Sequence, residues 1–447
     1  MITVLTPTGT LGYGFDSGAL ERGMQLAPQV IAVDAGSTDP GPAYLGSAQP
    51  LCSRRVVKDE IDELLCTARR AGIPLVIGSA GGSGRGELVD WTVEIIREIA
   101  RERNLRFRLA WIYADIARER IEQALAREEV EDFEAGFPLT RDTLDATTAI
   151  VAQMGWEPIA EALDAGADVV VAGRACDDLA IAAYPIAAGA DIGLATHMGK
   201  ILECGAFSAE PFAMDVMMGF LHDDHFVLEP GSLARKASLK SIAAHSLYER
   251  ENPFLQRGPG GSVDLSSCRF EPRGERSVRV SGARFVEDPV YRVKLEGAGL
   301  VGFRTMCMAG IRCPTMIPRL DDLLEDARRR TVEHFDPDPV TPSFRVYGRD
   351  GVMGGLEPRS RQPIGHELGL LMDVTAPTQE LAHAACHFLS GHLLHVAWPG
   401  QMNTSGNLAF PYSPSDIDTG AVYEFTVYHL MAAETPTELF PVHCDDV

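Results

Sequence analysis

The charged residues Arg174, Asp177 and Asp178 follow directly on the apolar run VVVA at 169–172. A run this apolar predicts a strand buried on both faces, and in open parallel sheets ligands bind beyond the carboxyl ends of the strands. Arginine can bind a substrate carboxylate through two N–H groups, and a neighbouring aspartate can act as a base. The alternative is an internal Arg–Asp ion pair. We predict the ligand site at this strand end.

Three further loops rich in glycine and short polar residues follow predicted strands at the same edge. They are TPTGTLGYGFDSG at 6–18, DAGSTDPGPAYLG at 34–46 and GSAGGSGRGE at 78–87. Consecutive glycines let backbone N–H groups converge on an anion, and a helix N-terminus adds partial positive charge. The alternative is tight turns needed only for packing. We predict one pocket, and its substrate-binding residues are predicted to include Thr10, Ser37, Thr38, Gly81, Gly82, Ser83 and Arg85.

Two other segments supply candidate acids and bases. Asp34 ends a buried apolar strand, where a carboxylate is costly unless it is paired or functional, although a helix cap or Asx-turn is an alternative. The segment 194–207 carries His197, Lys200 and Glu203; helical spacing puts the first two on one face and lets Lys200 pair with Glu203. We predict as catalytic residues Asp34, Arg174, Asp178, His197 and Glu203.

The second half of the chain is predicted to complete this site. Lys294 and Glu296 lie in the strand-like segment YRVKLEGAG, and PGQMNTSGNLAFPYSPSD at 399–416 is a long polar loop between a helix and a strand. Ordered loops of this length are usually functional. We therefore expect Lys294, Asn403 and Asn407 to bind substrate. The alternatives are a solvated sheet face for Lys294 and Glu296 and a dimer contact for the loop.

Two histidine-rich segments are not interpreted as metal sites. HDDH at 222–225 consists of adjacent residues that point in different directions, which favours a solvated loop. His383, His387, His392 and His395 have helical spacing but lack the glutamate of an HExxH motif, which favours core or interface histidines. We expect no metal and no cofactor.

Composition limits the class of protein. The chain has 447 residues, enough for two domains, and its 45% hydrophobic and 23% charged residues are those of a globular protein. A net charge of −23 disfavours nucleic acid and anionic membranes as partners. Nine scattered cysteines without CxxC pairs indicate reduced thiols, and no apolar run approaches the length of a membrane span. We predict a cytoplasmic homo-oligomer, with a small partner subunit as an open alternative.

The order of apolar and amphipathic segments predicts an α/β fold with a doubly wound, mostly parallel sheet in the N-terminal domain, followed by an α+β domain. The predicted domains are residues 1–230 and 231–447. Strands are expected at 2–6, 30–36, 74–80, 107–115 and 168–173, with helices at 17–26, 57–71, 87–103, 115–127 and 156–165. In the second half, SVRVSGARFV, YRVKLEGAG and FRTMCMAGIR are predicted to be neighbouring strands.

Several of these segments together resemble the acyclic terpene utilisation (AtuA-like) family. The matching stretches are DVVVAGRACDD, GKILECGA, the 243–265 region, VKLEGAGLVGFRT with AGIRCP, and the C-terminal 399–430 segment. The resemblance spans most of the chain. It implies catabolism of small acids or acyl-CoA thioesters and leaves the reaction open.

Three functions are compatible with these observations. The first is a cofactor-independent lyase, of the hydratase or dehydratase type, acting on a small carboxylate or its acyl-CoA thioester. Such a reaction needs an anion site, a base for the carbon acid and an acid for the departing hydroxyl. The alternatives are a non-catalytic acyl-CoA-binding or scaffold subunit of a catabolic enzyme complex, and a metal-assisted hydrolase or lyase.

Overall fold

The computed structural model describes residues 1–133, 136–248, 252–359, 364–402 and 406–447. The chain forms two compact units, which divide at 299/300 and 424/425. Unit 1 comprises Met1–Gly299 and Phe425–Val447, and unit 2 comprises Leu300–Glu424. A functional division at residue 230 stays a prediction; the strands that follow residue 230 extend a sheet of unit 1.

The elements of the described chain alternate between helix and strand in its first half and are mainly strands afterwards. The helices are α1 Ser17–Gln25, α2 Pro42–Ser47, α3 Arg54–Ala71, α4 Gly86–Arg103, α5 Arg118–Ala126, α6 Arg141–Asp145, α7 Glu157–Asp164, α8 Asp177–Ala187, α9 Ile192–Leu202, α10 Leu239–Leu247, α11 Leu320–Phe335 and α12 Gln379–His395. The strands are β1 Ile2–Thr6, β2 Val30–Asp34, β3 Leu75–Gly78, β4 Arg108–Ile112, β5 Val130–Asp132, β6 Ala149–Gln153, β7 Val169–Ala172, β8 Met217–Leu221, β9 His225–Pro230, β10 Leu255–Gly258, β11 Gly261–Asp264, β12 Arg269–Arg273, β13 Ser277–Ser281, β14 Arg284–Glu287, β15 Arg292–Ile311, β16 Thr341–Tyr347, β17 Leu368–Ala376, β18 Asp416–Ala432 and β19 Val442–Asp446.

The centre of unit 1 is a parallel sheet in the order β1-β2-β3-β7-β4. Alternate residues of its strands enter two different hydrophobic cores: on β2, Val30 and Ala32 pack on one face while Ile31 and Val33 pack on the other. Helices cover both faces, which explains why these strands are continuously apolar. The predicted α/β fold, with its five parallel strands, is therefore confirmed.

The same sheet is extended by strands that the sequence analysis did not place. On one side β8, β9, β13 and β12 join in antiparallel order, and on the other the C-terminal strand β19 pairs with β4. As a result the ten-stranded sheet is mixed rather than mostly parallel. Strands β10, β11 and β14 form a separate small sheet, so the predicted strands around 277–287 are split between two sheets.

Unit 2 has its own core, in which α11 and α12 pack on a sheet that contains β16, β17 and the end of β15. Alternating burial along β17 is that of a sheet with one covered face. YRVKLEGAG and FRTMCMAGIR were expected to be two neighbouring strands, but they form the single strand β15. The connecting residues Leu300 and Val301 favour extended backbone, and no turn-forming Asn, Asp or Pro lies between the two segments.

Two further expectations concern thiols and membranes. In the described part of the chain, no two cysteines form a disulfide. Among the described residues, none of the helices combines the length and the apolar character needed to cross a bilayer.

Candidate functional site

The loops after β1, β2, β3 and β7 lie together at the carboxyl edge of the parallel sheet. Their backbones are joined directly: the Leu11 N–H donates to the Asp34 carbonyl at 2.9 Å, and the Arg174 N–H donates to the Gly84 carbonyl at 3.1 Å. Gly84 has φ +68°, and a Cβ atom there would lie 2.1 Å from the Arg174 nitrogen. Only glycine fits such an approach. Part of the glycine content therefore serves loop packing.

Arg174 lies at the centre of this edge, with only 2% of its surface exposed. Its Nε donates to Glu296 Oε2 at 2.7 Å, and its Nη1 donates to Asp177 Oδ1 at 2.7 Å and to Ser79 Oγ at 3.1 Å. The remaining nitrogen, Nη2, makes no hydrogen bond to a described residue. Arg174 is thus mainly an internal ion-pair partner, and Nη2 is the part of it left for a ligand.

Ser79 is a member of this site that the sequence analysis missed. It is fully buried and has φ +47°, which is uncommon for a residue with a side chain. Its Oγ accepts from Arg174 Nη1, and the Ala175 N–H lies 3.4 Å from the same oxygen. Unusual backbone of this kind clusters at functional sites. The signal in the sequence was only a serine inside a glycine-rich turn.

Glu296 and Lys294, on β15, complete the ion-pair network. Glu296 is fully buried, and Lys294 Nζ lies 2.6 Å from its Oε1. Burial by itself would raise the pKa of Glu296, but Arg174 and Lys294 lower it to about 2. Lys294 Nζ also lies 4.9 Å from the centre of the Tyr428 ring and 5.8 Å from that of Phe133. The predicted substrate-binding residue Lys294 is therefore part of this network.

Asp34 is buried at the end of β2 and lacks a strong partner. Its Oδ2 accepts from the Gly36 N–H at 3.2 Å, whereas its Oδ1 has no hydrogen-bond partner among the described residues. Burial raises its pKa well above the usual value, the Asp177 and Glu203 carboxylates raise it further, and Arg174 acts in the opposite direction. A buried carboxyl group of this kind retains a proton more readily than an exposed one.

Glu203 follows α9 and is the second carboxyl group with a raised pKa. Lys200 Nζ lies 2.6 Å from its Oε1. Burial raises the pKa of Glu203; Lys200 opposes this, but Asp177 and Asp178 add to it, and the pKa is about 8. Lys200 also lies over the Tyr248 ring, 5.1 Å from its centre. The raised pKa favours the protonated form of Glu203 despite its lysine partner.

Asp178 is the third buried carboxylate of the predicted catalytic set and lies in the first turn of α8. It accepts hydrogen bonds from the Gln256 side chain and from Cys176 Sγ, the latter at 3.0 Å. Burial and the neighbouring Asp178 raise the pKa of the Cys176 thiol well above its usual value. Cys176 is therefore not a thiolate nucleophile at neutral pH.

The whole cluster contains more carboxyl groups than cations. Each member acts electrostatically on others, which links the carboxylates Asp34, Asp177, Asp178, Glu203 and Glu296 to the cations Arg174, Lys200 and Lys294. Four of the five acids, all but Asp177, are buried, and the excess of acids over bases favours proton retention by the carboxyl groups with raised pKa values, Asp34 and Glu203. The arrangement suits proton transfer to and from a bound molecule.

His197 is located elsewhere. It is fully buried, its Nε2 lies 3.0 Å from Ser246 Oγ, and its ring packs edge-on against Phe226 and Phe270. Although His197 was expected on the same helix face as Lys200, its surroundings are those of a core histidine. A sequence pattern could not distinguish the two roles, because both need a histidine on α9.

The glycine loop 78–87 is occupied by contacts within the protein. Arg85 Nη1 donates to the Leu45 and Gly46 carbonyls, and its Nη2 pairs with Glu87 at 2.8 Å. At the start of α4, the Asp115 carboxylate lies against Gly86. Arg85 therefore interacts with the end of α2, and a carboxylate of the chain itself lies at the helix N-terminus where an anion was expected.

The other predicted binding residues of the loops are partly engaged locally. Thr10 Oγ1 donates to the Gly9 carbonyl at 2.7 Å, Ser37 Oγ accepts from the Asp39 N–H at 3.1 Å, and Ser83 Oγ lies 3.5 Å from the Tyr44 carbonyl. Thr38 and Ser83 are buried. Binding of substrate by these side chains and by Gly81 and Gly82 stays a prediction.

Asn407 has a structural position in unit 2, and Asn403 lies outside the described residues. The Asn407 side chain is buried, its Nδ2 donates to the Val396 and Leu393 carbonyls at 2.8 and 3.2 Å, and its Oδ1 accepts from Gln401 at 3.2 Å. These bonds satisfy carbonyls at the end of α12. Substrate binding by Asn407 would require it to give up such bonds.

Asn407→Ala is expected to destabilise unit 2 by about 1–3 kcal/mol, because it leaves buried carbonyls without donors. Chemical denaturation monitored by circular dichroism measures this loss. Ser37→Ala, at a half-buried loop position in unit 1, is the control. An unchanged denaturation midpoint in Asn407→Ala would contradict the structural role.

The histidine-rich segments were considered for metal binding as well. Within the described ranges, no group of three or more His, Cys, Asp or Glu side chains is arranged to hold a metal ion. The first three residues of HDDH, 222–224, connect β8 and β9, and His225 is the first residue of β9, with its Nδ1 2.6 Å from Asp224 Oδ1. The predicted loop position of this segment is correct.

Two cavities lie away from the buried carboxylates. One of about 10 Å³ in unit 1, lined by Leu11, Cys52 and Trp91 among others, has room for roughly one water molecule. The other is a cleft of about 520 Å³ in unit 2, lined by α11 and the 344–355 segment. Its lining mixes both charges, including Asp321, Arg328 and Arg349. Neither cavity is lined by Asp34, Arg174 or Glu203.

Comparison with known proteins gives one result. Searches of curated proteins and of solved structures find no match. The family model described as acyclic terpene utilisation family protein AtuA matches residues 53–406, a stretch that includes Arg174, Glu203 and Glu296. This chain therefore belongs to the acyclic terpene utilisation family.

Proposed function

We propose that this protein is a cofactor-independent lyase of the hydratase or dehydratase type, acting on a small carboxylate or its acyl-CoA thioester. Membership of the family implies a role in acyclic terpene utilisation. The observation that carries the proposal is the pair of buried carboxyl groups with raised pKa values, Asp34 and Glu203, beside the ion-paired Arg174. Titratable groups whose pKa values are shifted by their environment are a recurring basis of acid–base catalysis.

In the proposed dehydration, the protonated form of Glu203 is the general acid and the ionised form of Asp34 is the general base, which its raised pKa makes a stronger base than an ordinary aspartate. Asp34 Oδ1 removes the proton from the carbon next to the carbonyl, the electrons of that C–H bond form the new C=C bond, and the C–O bond to the hydroxyl group breaks. Glu203 gives its proton to the departing hydroxyl, which leaves as water. Hydration is the reverse sequence. Each carboxyl group regains its starting state by exchange with water.

The remaining residues of the cluster position these two groups. Arg174 Nη2 is the donor left for the substrate carboxylate or thioester oxygen, while Glu296 and Asp177 bind Nε and Nη1 of the same guanidinium group. Lys200 forms an ion pair with Glu203. Asp178 accepts a hydrogen bond from the Gln256 side chain. Burial makes these electrostatic contacts stronger than they would be in water.

Incubation with a panel of 3-hydroxyacyl-CoA and 2-enoyl-CoA thioesters and of the free acids tests the proposal. We expect appearance or loss of the absorbance of the conjugated double bond, and in D₂O incorporation of deuterium next to the carbonyl. Acyl-CoA binding without either signal would favour the non-catalytic subunit instead. Glu21→Gln, an exposed position on α1, is the matched control for carboxylate variants.

The raised pKa of Glu203 also predicts a pH dependence of stability. The folded protein binds a proton at Glu203 up to about pH 8, whereas an unfolded glutamate loses it near 4.5. Between these values the folded state binds more protons, so the free energy of unfolding falls as the pH rises from about 4.5 to about 8. Denaturation at pH 5.5 and pH 8.5 should show this fall, and a smaller one in Glu203→Gln. An equal fall in both proteins would show that Glu203 is not the group responsible.

A further inference from the structure

Two histidines one turn apart on α12 present their rings to solvent in unit 2. The side chains of His383 and His387 are 47% and 74% exposed. They are therefore not core histidines, and the other role favoured by the sequence, that of interface histidines, stays a prediction. Each ring is bound by a different aspartate: His383 Nδ1 lies 2.9 Å from Asp418 Oδ1, and His387 Nδ1 lies 2.8 Å from Asp416 Oδ2.

These hydrogen bonds determine which nitrogen of each imidazole ring is available to bind a ligand. An ionised carboxylate only accepts, so each Nδ1 carries the hydrogen and the Nε2 of each neutral ring has its lone pair available. A carboxylate bound to the far nitrogen of a histidine is the usual neighbour of a metal-binding imidazole, because it orients the ring and raises its basicity. Spacing of i and i+4 places both rings on one helix face.

The two aspartates are themselves oriented by other groups. Asp418 Oδ1 also accepts from Thr305 Oγ1 at 2.7 Å, and Asp416 Oδ1 accepts from Ser390 Oγ at 3.3 Å. The Asp416 side chain is only 6% exposed. Both histidine–aspartate pairs are thus anchored to β18 and to its neighbours, which is more than a surface ion pair requires.

From this geometry we propose that His383 and His387 form a two-histidine chelating site for a divalent transition-metal ion of the Zn²⁺, Ni²⁺ and Cu²⁺ class. Imidazole nitrogens suit these ions, whereas Mg²⁺ and Ca²⁺ prefer oxygen ligands. Since no third His, Cys, Asp or Glu ligand is arranged around the pair among the described residues, water completes the coordination shell.

Titration of the full-length protein with NiCl₂ in a non-chelating buffer at pH 7.5, followed by calorimetry, tests the site. We expect one site whose affinity falls at least tenfold in His383→Ala and in His387→Ala. Asp416→Asn and Asp418→Asn should weaken it by about 10–100-fold. With Cu²⁺, electron paramagnetic resonance should show two nitrogen ligands.

The competing site is the β8–β9 turn, where His222 and His225 stack at 4.4 Å. His222→Ala is therefore the matched control and should leave the affinity unchanged. Unaltered binding in His383→Ala and His387→Ala, or loss of binding in His222→Ala, would overturn the proposal. Melting temperatures measured without metal check that the variants fold, and a lower melting temperature with unchanged affinity would assign the histidine–aspartate pairs a structural role only.

Discussion

Glu203→Gln is expected to lower the rate of hydration or dehydration by about 10²–10⁴-fold, the usual contribution of a positioned general acid. Glutamine keeps the shape of the side chain but cannot give a proton to the departing hydroxyl. Burial and the nearby Asp177 and Asp178 raise the pKa of Glu203 to about 8, so the wild-type group keeps that proton more readily at neutral pH than an ordinary glutamate does. Steady-state kinetics with the substrate found by the thioester panel give the ratio of kcat/KM values.

Two readouts separate an acid role of Glu203 from a structural one. In the wild type, kcat/KM for dehydration should fall as the pH rises above about 8, since the acid form disappears. That limb should be absent in Glu203→Gln, while Glu21→Gln should retain both the rate and the profile. Wild-type kinetics in Glu203→Gln would exclude Glu203 as the general acid. Asp34 would then be the remaining candidate for an acid–base role in the cluster.

Glu296→Gln is expected to destabilise the folded protein by about 3–5 kcal/mol, the cost of removing one partner from a buried ion pair. Glu296 is fully buried and lies between Arg174 and Lys294 at 2.7 and 2.6 Å. Without its charge, two cations would remain in a buried space with only Asp177 paired to Arg174. Urea denaturation measures the change in the free energy of unfolding.

The control for Glu296 is a surface ion pair between Arg292, which is on β15 like Glu296, and Glu131 on β5. Arg292 pairs with Glu131 at 2.7 Å, and the Glu131 side chain is 55% exposed. Exposed pairs contribute about 0–1 kcal/mol, so Glu131→Gln should have little effect. If Glu296→Gln lost no more stability than Glu131→Gln, the network around Arg174 would not be a structural requirement of the site.

Local sequence pattern determined most of the parallel sheet and its helices. Apolar runs of four to seven residues, such as VIAVD and VVVA, predicted β2 and β7, and helices such as α4 began and ended within a residue of the expected positions. Such patterns depend on neighbours along the chain, whose spacing the sequence states directly. The sequence also predicted that the loops after these strands lie at one edge of the sheet, because the carboxyl ends of parallel strands meet at the same edge.

Only the tertiary structure decided which charged residues meet. Arg174 pairs with Glu296, which is 122 residues away in the sequence. The sequences of the antiparallel strands that extend the sheet likewise do not indicate which strands they pair with. His197 and Glu203 lie six residues apart, yet one packs among aromatic rings and the other among carboxylates. Ion-pair energies and pKa values depend on distance and on burial. Distance and burial are properties of the folded chain. The sequence alone therefore identified the titratable groups, whereas the tertiary structure determined their ion-pair partners and pKa values.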